Sequence, residues 1–319
     1  MAVPKIEYEV IEVVTVHYDN QAFDEYNSKI EFPDAVREKT FDSCIRVAGI
    51  CDELVCLVDD ADDLFGYNYN LFIWNPSIRK FVTLPEPGVK LNTHGQYSAS
   101  IGFGFDATTN DYKVVLVVTL TLMRGLQTLA EVYSLATGTW SSLGVVSPRC
   151  LRLEKAANNV FVNGVLHWSV ICYKTNDYHH PCDSILAFDL GKEVFHEIFM
   201  PEGIKWNSGV SSRLSMSGDR KAIALFKVDN RNEDCILDIW GDERVWQNGV
   251  MDEIDDSRST RSRKTFITHT DDNTRNELAS LNLASKQVKN LGIDGYRCCD
   301  VGFYKESLIL LDKTDAESY

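Results

Sequence analysis

The 319-residue sequence is short of positive charge. Lysine and arginine number 32 against 47 aspartates and glutamates, a formal net charge of −15. Nucleic-acid and anionic-membrane binders need basic surface to neutralise phosphates, so neither is an expected partner. Long apolar runs are missing as well, and none approaches the ~18 residues needed to span a bilayer. The stretch from Met1 to Val10 holds Lys5, Glu7 and Glu9, too many charges for the apolar core of a secretory signal. No Asn-x-Ser/Thr sequon is free of proline, since Asn75-Pro76-Ser77 is blocked. Cysteines number nine, an odd count, with no secretory signal. That pattern reads as free, mostly buried thiols in a reducing compartment, cytoplasmic or nuclear.

Motifs that declare chemistry are also absent. There is no Gly-x-Ser-x-Gly elbow, Walker loop, dinucleotide Gly-x-Gly-x-x-Gly or His-Glu-x-x-His. Gly102-Phe103-Gly104 lacks the third glycine and is followed by a strand-like run, so it is no phosphate loop. Cys172, His179, His180 and Cys182 come nearest to a metal cluster, in a polar stretch from Lys174 to Asp183 that reads as a loop. Their spacing lacks the paired Cys-x2-Cys or His-x3-His of zinc sites, and no metal is expected. Asp59 to Asp63 and Asp252 to Asp256 lack the alternating ligands of a calcium loop and read as solvated loops. Ser257 to Lys264 is the one basic run, read as an exposed loop beside an acidic one. Cys51, Cys56 and His167 read as core residues. No residue is assigned as catalytic, cofactor-binding or metal-ligating, no cofactor is expected, and no individual substrate-binding residue is assigned.

What is present is a series of short strands. Leu54 to Val58, Val114 to Val118, Val165 to Trp168, Ala222 to Phe226 and Leu308 to Leu311 are bounded by Gly, Asn and Asp, the mark of strands buried on both faces. Helical periodicity over eleven or more residues is almost nowhere found. Without crossover helices a parallel α/β fold is disfavoured.

A repeat overlies the strands. Asn75, Ser134, Asp189 and Asn282 each follow an apolar triplet, and six residues later stand Phe81, Trp140, Phe195 and Val288. Asp24 with Ile30 and Trp240 with Trp246 are looser copies. A small polar residue bonds its own backbone to start a turn, and the returning strand opens with a large apolar residue that packs on a neighbour. Trp140 is therefore expected to be a packing residue, its removal costing ~3–5 kcal/mol. A more buried strand pair lies between successive anchors. Four strands per unit of about 40 to 50 residues is the period of a β-propeller blade. The fold expected is all-β, a β-propeller of six blades. Val10 to Phe32 and Val301 to Leu311 would supply the outer and inner strands of one closing blade. A β-sandwich or two small β domains is the alternative that the period leaves open.

The segment Leu71-Phe72-Ile73-Trp74-Asn75-Pro76-Ser77-Ile78-Arg79-Lys80, with Leu84-Pro85, resembles the signature of plant F-box-associated domains of type 1, kelch-like propellers that include S-locus F-box proteins. Further stretches match in order. They are Gly102 to Asp106 with Asn110 to Val115, Val132 to Leu135 with Trp140, Val162 to Trp168, Ile185 to Leu190 with Phe195, and Glu306-Ser307-Leu308. The resemblance covers 49–311 and implies a single domain over 1–319, with 1–48 as outer strands and loop and 312–319 as a tail. It implies a protein-interaction module that recognises substrates for an SCF-type ubiquitin ligase, not an enzyme. Nothing before Gly49 resembles an F-box, so binding to the Skp-type adaptor is expected only where an F-box is supplied upstream. Asp238-Ile239-Trp240 is followed by a shortened segment, a departure from the family. The alternative reading is a propeller-scaffold glycosidase or lyase with carboxylates at the channel mouth, but no carboxylate pair is declared by spacing. Candidate recognition loops are Asp59 to Asn70, Pro87 to Ser98, Cys172 to Asp183 and Gly241 to Lys264. They are acidic and carry Tyr67, Tyr69, Tyr97, Tyr173 and Tyr178, a composition suited to a basic protein partner.

Overall fold

The computed structural model describes residues 13–14, 30–33, 36, 45–63, 66–95, 97–122, 125–147, 150–153, 159–174, 177–199, 210–216, 223–229, 235–236, 264–270, 276–282, 287–295, 302 and 304–318. The hairpin expected near the N-terminus is present as β1 (Val13–Val14) paired with β2 (Ile30–Glu31). The first large sheet is an antiparallel meander of β3 (Ile45–Cys51), β4 (Leu54–Asp63), β5 (Gly66–Asn75) and β6 (Lys80–Thr83). The second is β7 (Tyr97–Asp106), β8 (Asp111–Leu122), β9 (Gly125–Ser134) and β10 (Thr139–Val146). In the third, β11 (Cys150–Leu153) and β12 (Val160–Val162) share the inner edge of β13 (Val165–Lys174). The outer strands there are β14 (Asp177–Asp189) and β15 (Val194–Phe199). A fourth sheet holds β16 (Val210–Met216), β17 (Ile223–Asp229) and β18 (Cys235–Ile236). A fifth holds β19 (Lys264–Thr270), β20 (Asn276–Asn282) and β21 (Gln287–Gly295), and β22 (Glu317–Ser318) returns to the outer edge of β6. Among the described residues helix is confined to short pieces such as a 3-10 turn at Pro76–Ile78 and α1 (Leu91–His94). No helix among them is long and apolar enough to cross a membrane.

Strand periodicity explains how the sheets stack. Successive side chains of a strand point to opposite faces. On β8, Val114, Leu116 and Val118 join one core with Leu54, Cys56 and Val58 of β4. Val115 and Val117 join another with Leu166, Trp168 and Val170 of β13. The second sheet therefore lies face to face between the first and third, and its apolar run is buried on both sides, as the sequence implied. The far face of the first sheet, with Trp74 and Phe81, meets Phe32 and Val36. The far face of the third, with Ile185 and Ala187, meets Leu214 and Ile223 of the fourth. Sheets stacked in chain order, each inner strand nearest the next, are the arrangement of propeller blades.

Close approach of the inner strands accounts for the glycine pattern. A Cβ on Gly102 would lie 2.5 Å from Cζ2 of Trp168, and one on Gly104 would lie 2.5 Å from the Phe161 ring. Gly102-Phe103-Gly104 is thus a packing device between the second and third sheets.

Three expectations need correction. Ser307 to Leu311, read as an inner strand of a blade shared with the N-terminal hairpin, contains no strand, and 309–312 form a turn. The side-chain amide of Asn75 takes the carbonyls of Ser307 and Ile309, which a sheet ladder would otherwise use. Leu308 and Leu311 stand 68% and 46% exposed. The C-terminal strand is β22 instead, and it joins the first sheet, not the β1–β2 pair. Second, the supposed loops Asp59 to Asn70 and Cys172 to Asp183 lie in hairpins, with Asp63 paired to Gly66, and with Tyr173 paired to Pro181 and Lys174 to Asp177 across a register shift. Ladder pairing engages most of these backbones although their polar residues read as loop. Third, Tyr97 is a buried residue opening β7. The Asp24 and Trp240 copies of the repeat, and the acidic and basic runs at 252–263, lie outside the described residues.

Candidate functional site

The repeat anchors sit at one end of the sheets and do what their chemistry predicts. Asn75 Oδ1 accepts from the Ser77 amide at 3.0 Å. Ser134 Oγ accepts from the Thr137 amide at 3.1 Å. Asp189 Oδ1 accepts from the Gly191 and Lys192 amides at 3.1 and 2.9 Å. The residues six positions on pair across the hairpin with their predecessors, as Phe81 with Trp74, Trp140 with Tyr133, Phe195 with Phe188 and Val288 with Leu281. Ring centroids are 5.4 Å apart for Tyr133 and Trp140 and 4.4 Å for Phe188 and Phe195, within the range of favourable aromatic pairs.

The same end carries a buried ionic junction that the sequence did not reveal. Lys113 Nζ donates to Asp106 at 2.9 Å, to Glu193 at 2.8 Å and to the Leu190 carbonyl at 3.1 Å. It thereby ties the second sheet to the turn of the third. Burial opposes ionisation of Asp106. The Thr109 hydroxyl, the Lys113 ammonium and the Thr108 amide outweigh it and hold the carboxyl down at about 2. Desolvation lowers Lys113, but the bonds that its ammonium donates to Glu193 and Asp106 outweigh it and raise the group above the usual lysine range. The sequence signal was a lysine and two acids bracketing an apolar strand, but Glu193 is far away in the chain.

At the same end, between the first two sheets and residues 309–313, lies a cleft of about 520 Å³. It is lined by Asp52 and Glu53 from the β3–β4 turn, Asn110, Asp111 and Tyr112 from β7–β8, and Lys313. Its carboxylates are engaged. Glu53 accepts from the Tyr112 hydroxyl, and Asp111 accepts from Ser134 Oγ at 2.5 Å and the Ala136 amide at 2.8 Å. Burial and the neighbouring Glu53 push the Tyr112 phenol far up, so it stays a donor.

Because these turns share one end, the intervening hairpins of the three sheets project from the other. They are β4–β5 beyond the buried Asp59, β8–β9 beyond Thr119, and β13–β14 beyond Ile171. Asp59 is fastened there by Asn70 Nδ2 at 3.1 Å. Two of the four candidate recognition segments thus become long hairpins at a common end. A third, Pro87 to Ser98, holds α1 and leads into β7, with Gly88 bonded back to Glu131 at 2.8 Å. The fourth, from Gly241, lies outside the described residues up to Lys264.

Two cysteines and a histidine that the sequence placed in the core, Cys51, Cys56 and His167, are found there. Cys51, Cys56 and Cys172 are buried. Burial pushes the Cys56 thiol up to about 12, far from the range of a reactive thiolate. Cys172 stands opposite Cys182, but His179 and His180 continue along β14. Among the described residues no group of three or more His, Cys, Asp or Glu is placed to hold a metal. His167 is buried, with Nδ1 3.2 Å from the Val160 carbonyl.

Trp140 is half-buried against the first core, and its indole N–H donates to the Pro85 carbonyl at 2.7 Å. The repeat slot is a packing slot as expected, but partial exposure lowers the stake. Trp140→Ala is expected to cost about 2 kcal/mol, below the value for a fully buried aromatic. Trp140→Phe keeps the ring, loses the hydrogen bond, and costs about 1 kcal/mol. Denaturant midpoints of both variants test this. An unchanged midpoint for Trp140→Ala would remove the residue from the core.

Comparison with known proteins agrees with this architecture. The profile of the F-box associated beta propeller domain matches residues 2–276. An F-box/kelch-repeat protein of Arabidopsis thaliana is 24% identical over 153 residues, covering 48% of this chain and 38% of its own. A second F-box protein of that plant is 30% identical over 146 residues, covering 46% and 35%. A third is 29% identical over 177 residues, covering 49% and 39%. These alignments span well under half the length of each relative. Among solved structures, a puromycin-hydrolysing peptidase of Mycobacterium tuberculosis overlays with TM-score 0.38 at 10% identity, over 90% of this chain and 51% of that one. A match over most of the sequence, on an almost wholly β architecture of stacked antiparallel sheets, places the chain in the F-box associated beta propeller domain family.

Proposed function

We propose that this chain is a protein-recognition module that presents substrate proteins to an SCF-type ubiquitin ligase, and that its hairpin end is the surface that does so. The reading includes a single domain of six blades over residues 1–319 and a cytoplasmic or nuclear setting. The observation that carries it is the asymmetry of the two ends. At the turn end, polar groups are consumed by anchors and by the Lys113 junction. At the hairpin end, three neighbouring sheets each extend a long hairpin. Paired strands that carry long hairpin tips suit recognition better than tight turns do. The tips hold Asp60, Asp62, Asp63, Tyr67, Tyr69, Tyr173 and Tyr178, which favours a basic partner with surface for aromatic contact.

The test replaces Asp60 to Tyr69 by a two-residue Asn-Gly turn and leaves the buried part of β4 and β5 intact. Proteins captured from plant extract by the wild-type chain are expected to be lost by this variant at an unchanged denaturant midpoint. Retention of the same captured set would move the site elsewhere. In the same assay purified Skp-type adaptor is expected to show no saturable binding to the 319-residue chain, because residues 1–48 hold no F-box-like sequence. Stoichiometric adaptor binding would overturn that expectation.

A further inference from the structure

Residues 304–318 cross the turn end of the first two sheets as a strap, and the manner of their attachment is informative. Many of the contacts are to main-chain groups. The Lys305 amide donates to the Asp52 carbonyl at 2.8 Å. Asn75 Nδ2 donates to the carbonyls of Ser307 and Ile309 at 3.1 and 2.9 Å. Lys80 Nζ donates to the Leu311 carbonyl at 2.7 Å. The strap ends by adding β22 to the open edge of β6. Carbonyl capture and strand addition at a free edge are the means by which folded domains hold extended peptides of varied sequence. The buried Asn75 is the pivot. Its Oδ1 accepts from the Ser77 amide and from the Tyr304 hydroxyl, while its Nδ2 grips the strap.

Side chains add selectivity: the Tyr304 hydroxyl meets Asn75 and the Ser77 amide, and Glu317 accepts from Thr83. Lys313 reaches the cleft lined by Asp52, Glu53 and Asp111, donates to the Leu135 carbonyl at 3.1 Å, and lies 3.3 Å from Asp315. The apolar side chains divide. Leu310 is buried in the first core, with Ile309 and Ala316 packed against it, but Leu308 and Leu311 face solvent. A strap laid along a sheet edge, with no strand of its own before β22, belongs with the segments whose local opening precedes global unfolding.

We propose that the Asn75–Lys80 turn, the outer edge of β6 and the acidic cleft form a docking groove for an extended, lysine-bearing peptide of a partner protein. Residues 304–318 fill that groove in cis and compete with the partner. The groove lies opposite the hairpin end and stands independently of the function proposed for that end.

Two measurements on the full chain decide the matter. In hydrogen exchange of the wild-type protein, the Lys305 and Leu311 amides exchange at least ~100-fold faster than those of β5, through local opening of the strap. Exchange of these amides only with global unfolding would make the strap a permanent brace and overturn the proposal. In the second, a fluorescein-labelled peptide of residues 304–318 is titrated into the wild-type chain and into Lys313→Glu, a change on the strap that leaves the groove intact. The variant binds the peptide roughly tenfold more tightly than wild type, because its intramolecular competitor is weakened. A peptide carrying glutamate in place of that lysine binds neither chain. Equal binding to both chains, no binding to either, or equal binding of a scrambled peptide would each overturn it.

Discussion

Lys113→Met is expected to destabilise the domain by about 3–5 kcal/mol, the usual consequence of removing one partner from a buried ion pair. The side chain of Asp106 is 1% exposed, and that of Glu193 is 36% exposed. Glu193 can turn to water when the ammonium is gone, but Asp106 cannot. Asp106 keeps bonds from the Thr108 amide at 2.8 Å and the Thr109 hydroxyl at 2.7 Å, yet no cation balances its charge. Lys113→Met with Asp106→Asn removes both charges and recovers most of the loss. Urea midpoints of the single and double variants check this. A single variant within 1 kcal/mol of wild type would show that the junction contributes little.

The junction also fixes an acid limit. A carboxyl held at about 2 when folded, against about 3.9 when unfolded, stabilises the fold fully above its unfolded value. That contribution, about 2 kcal/mol, disappears as the pH falls from near 4 through 2. Asp106 gives no slope between pH 5 and 8. Lys113, raised when folded, contributes below the ordinary lysine range and loses its contribution only as the pH rises through its folded value. Asp106→Asn should therefore flatten the acid limb of the stability profile and leave the neutral plateau level, though lowered.

Gly102→Ala is expected to destabilise the domain by about 2–3 kcal/mol from overpacking. The new Cβ would lie 2.5 Å from Trp168 Cζ2 and 3.0 Å from Leu166 Cδ1. Trp168 is fully buried among Val115, Val117 and Phe188, so its ring has nowhere to swing. Shrinking the partner relieves the clash, and Gly102→Ala should be less harmful in a Trp168→Leu background than in wild type. The interaction energy in the double-mutant cycle should be about 1–2 kcal/mol and favourable. Additive costs would show that the inner strands are looser than this geometry indicates. Gly138, by contrast, meets nothing within 4 Å of a Cβ, and its constraint is a φ of +71°.

Much of the fold was legible because it is written in local chemistry. Asn75, Ser134 and Asp189 start turns by bonding amides two or three residues on, an interaction complete within one short segment. The alternation of Val114 to Val118 between two cores is likewise a property of one strand between two apolar neighbours. Other features misled. Asp59 to Asn70 and Cys172 to Asp183 carry loop-like side chains, but each strand finds a partner ladder for its backbone. Leu308 to Leu311 has the composition of a strand but meets a side-chain amide instead of a free sheet edge.

The sequence by itself determined the strand-rich class, the repeat, the turn anchors and the family, since each rests on residues near one another in the chain. Only the tertiary structure decided the rest. Lys113 meets Glu193 because the second sheet lies on the third. Gly102 is required because Trp168 arrives from another sheet. The turn end is strapped because Asn75 faces residues more than two hundred positions later. The physical reason is common to all three. A turn closes on its own backbone, whereas burial, charge pairing and close approach depend on which distant strand packing brings alongside, and the pattern of a single strand does not encode that neighbour.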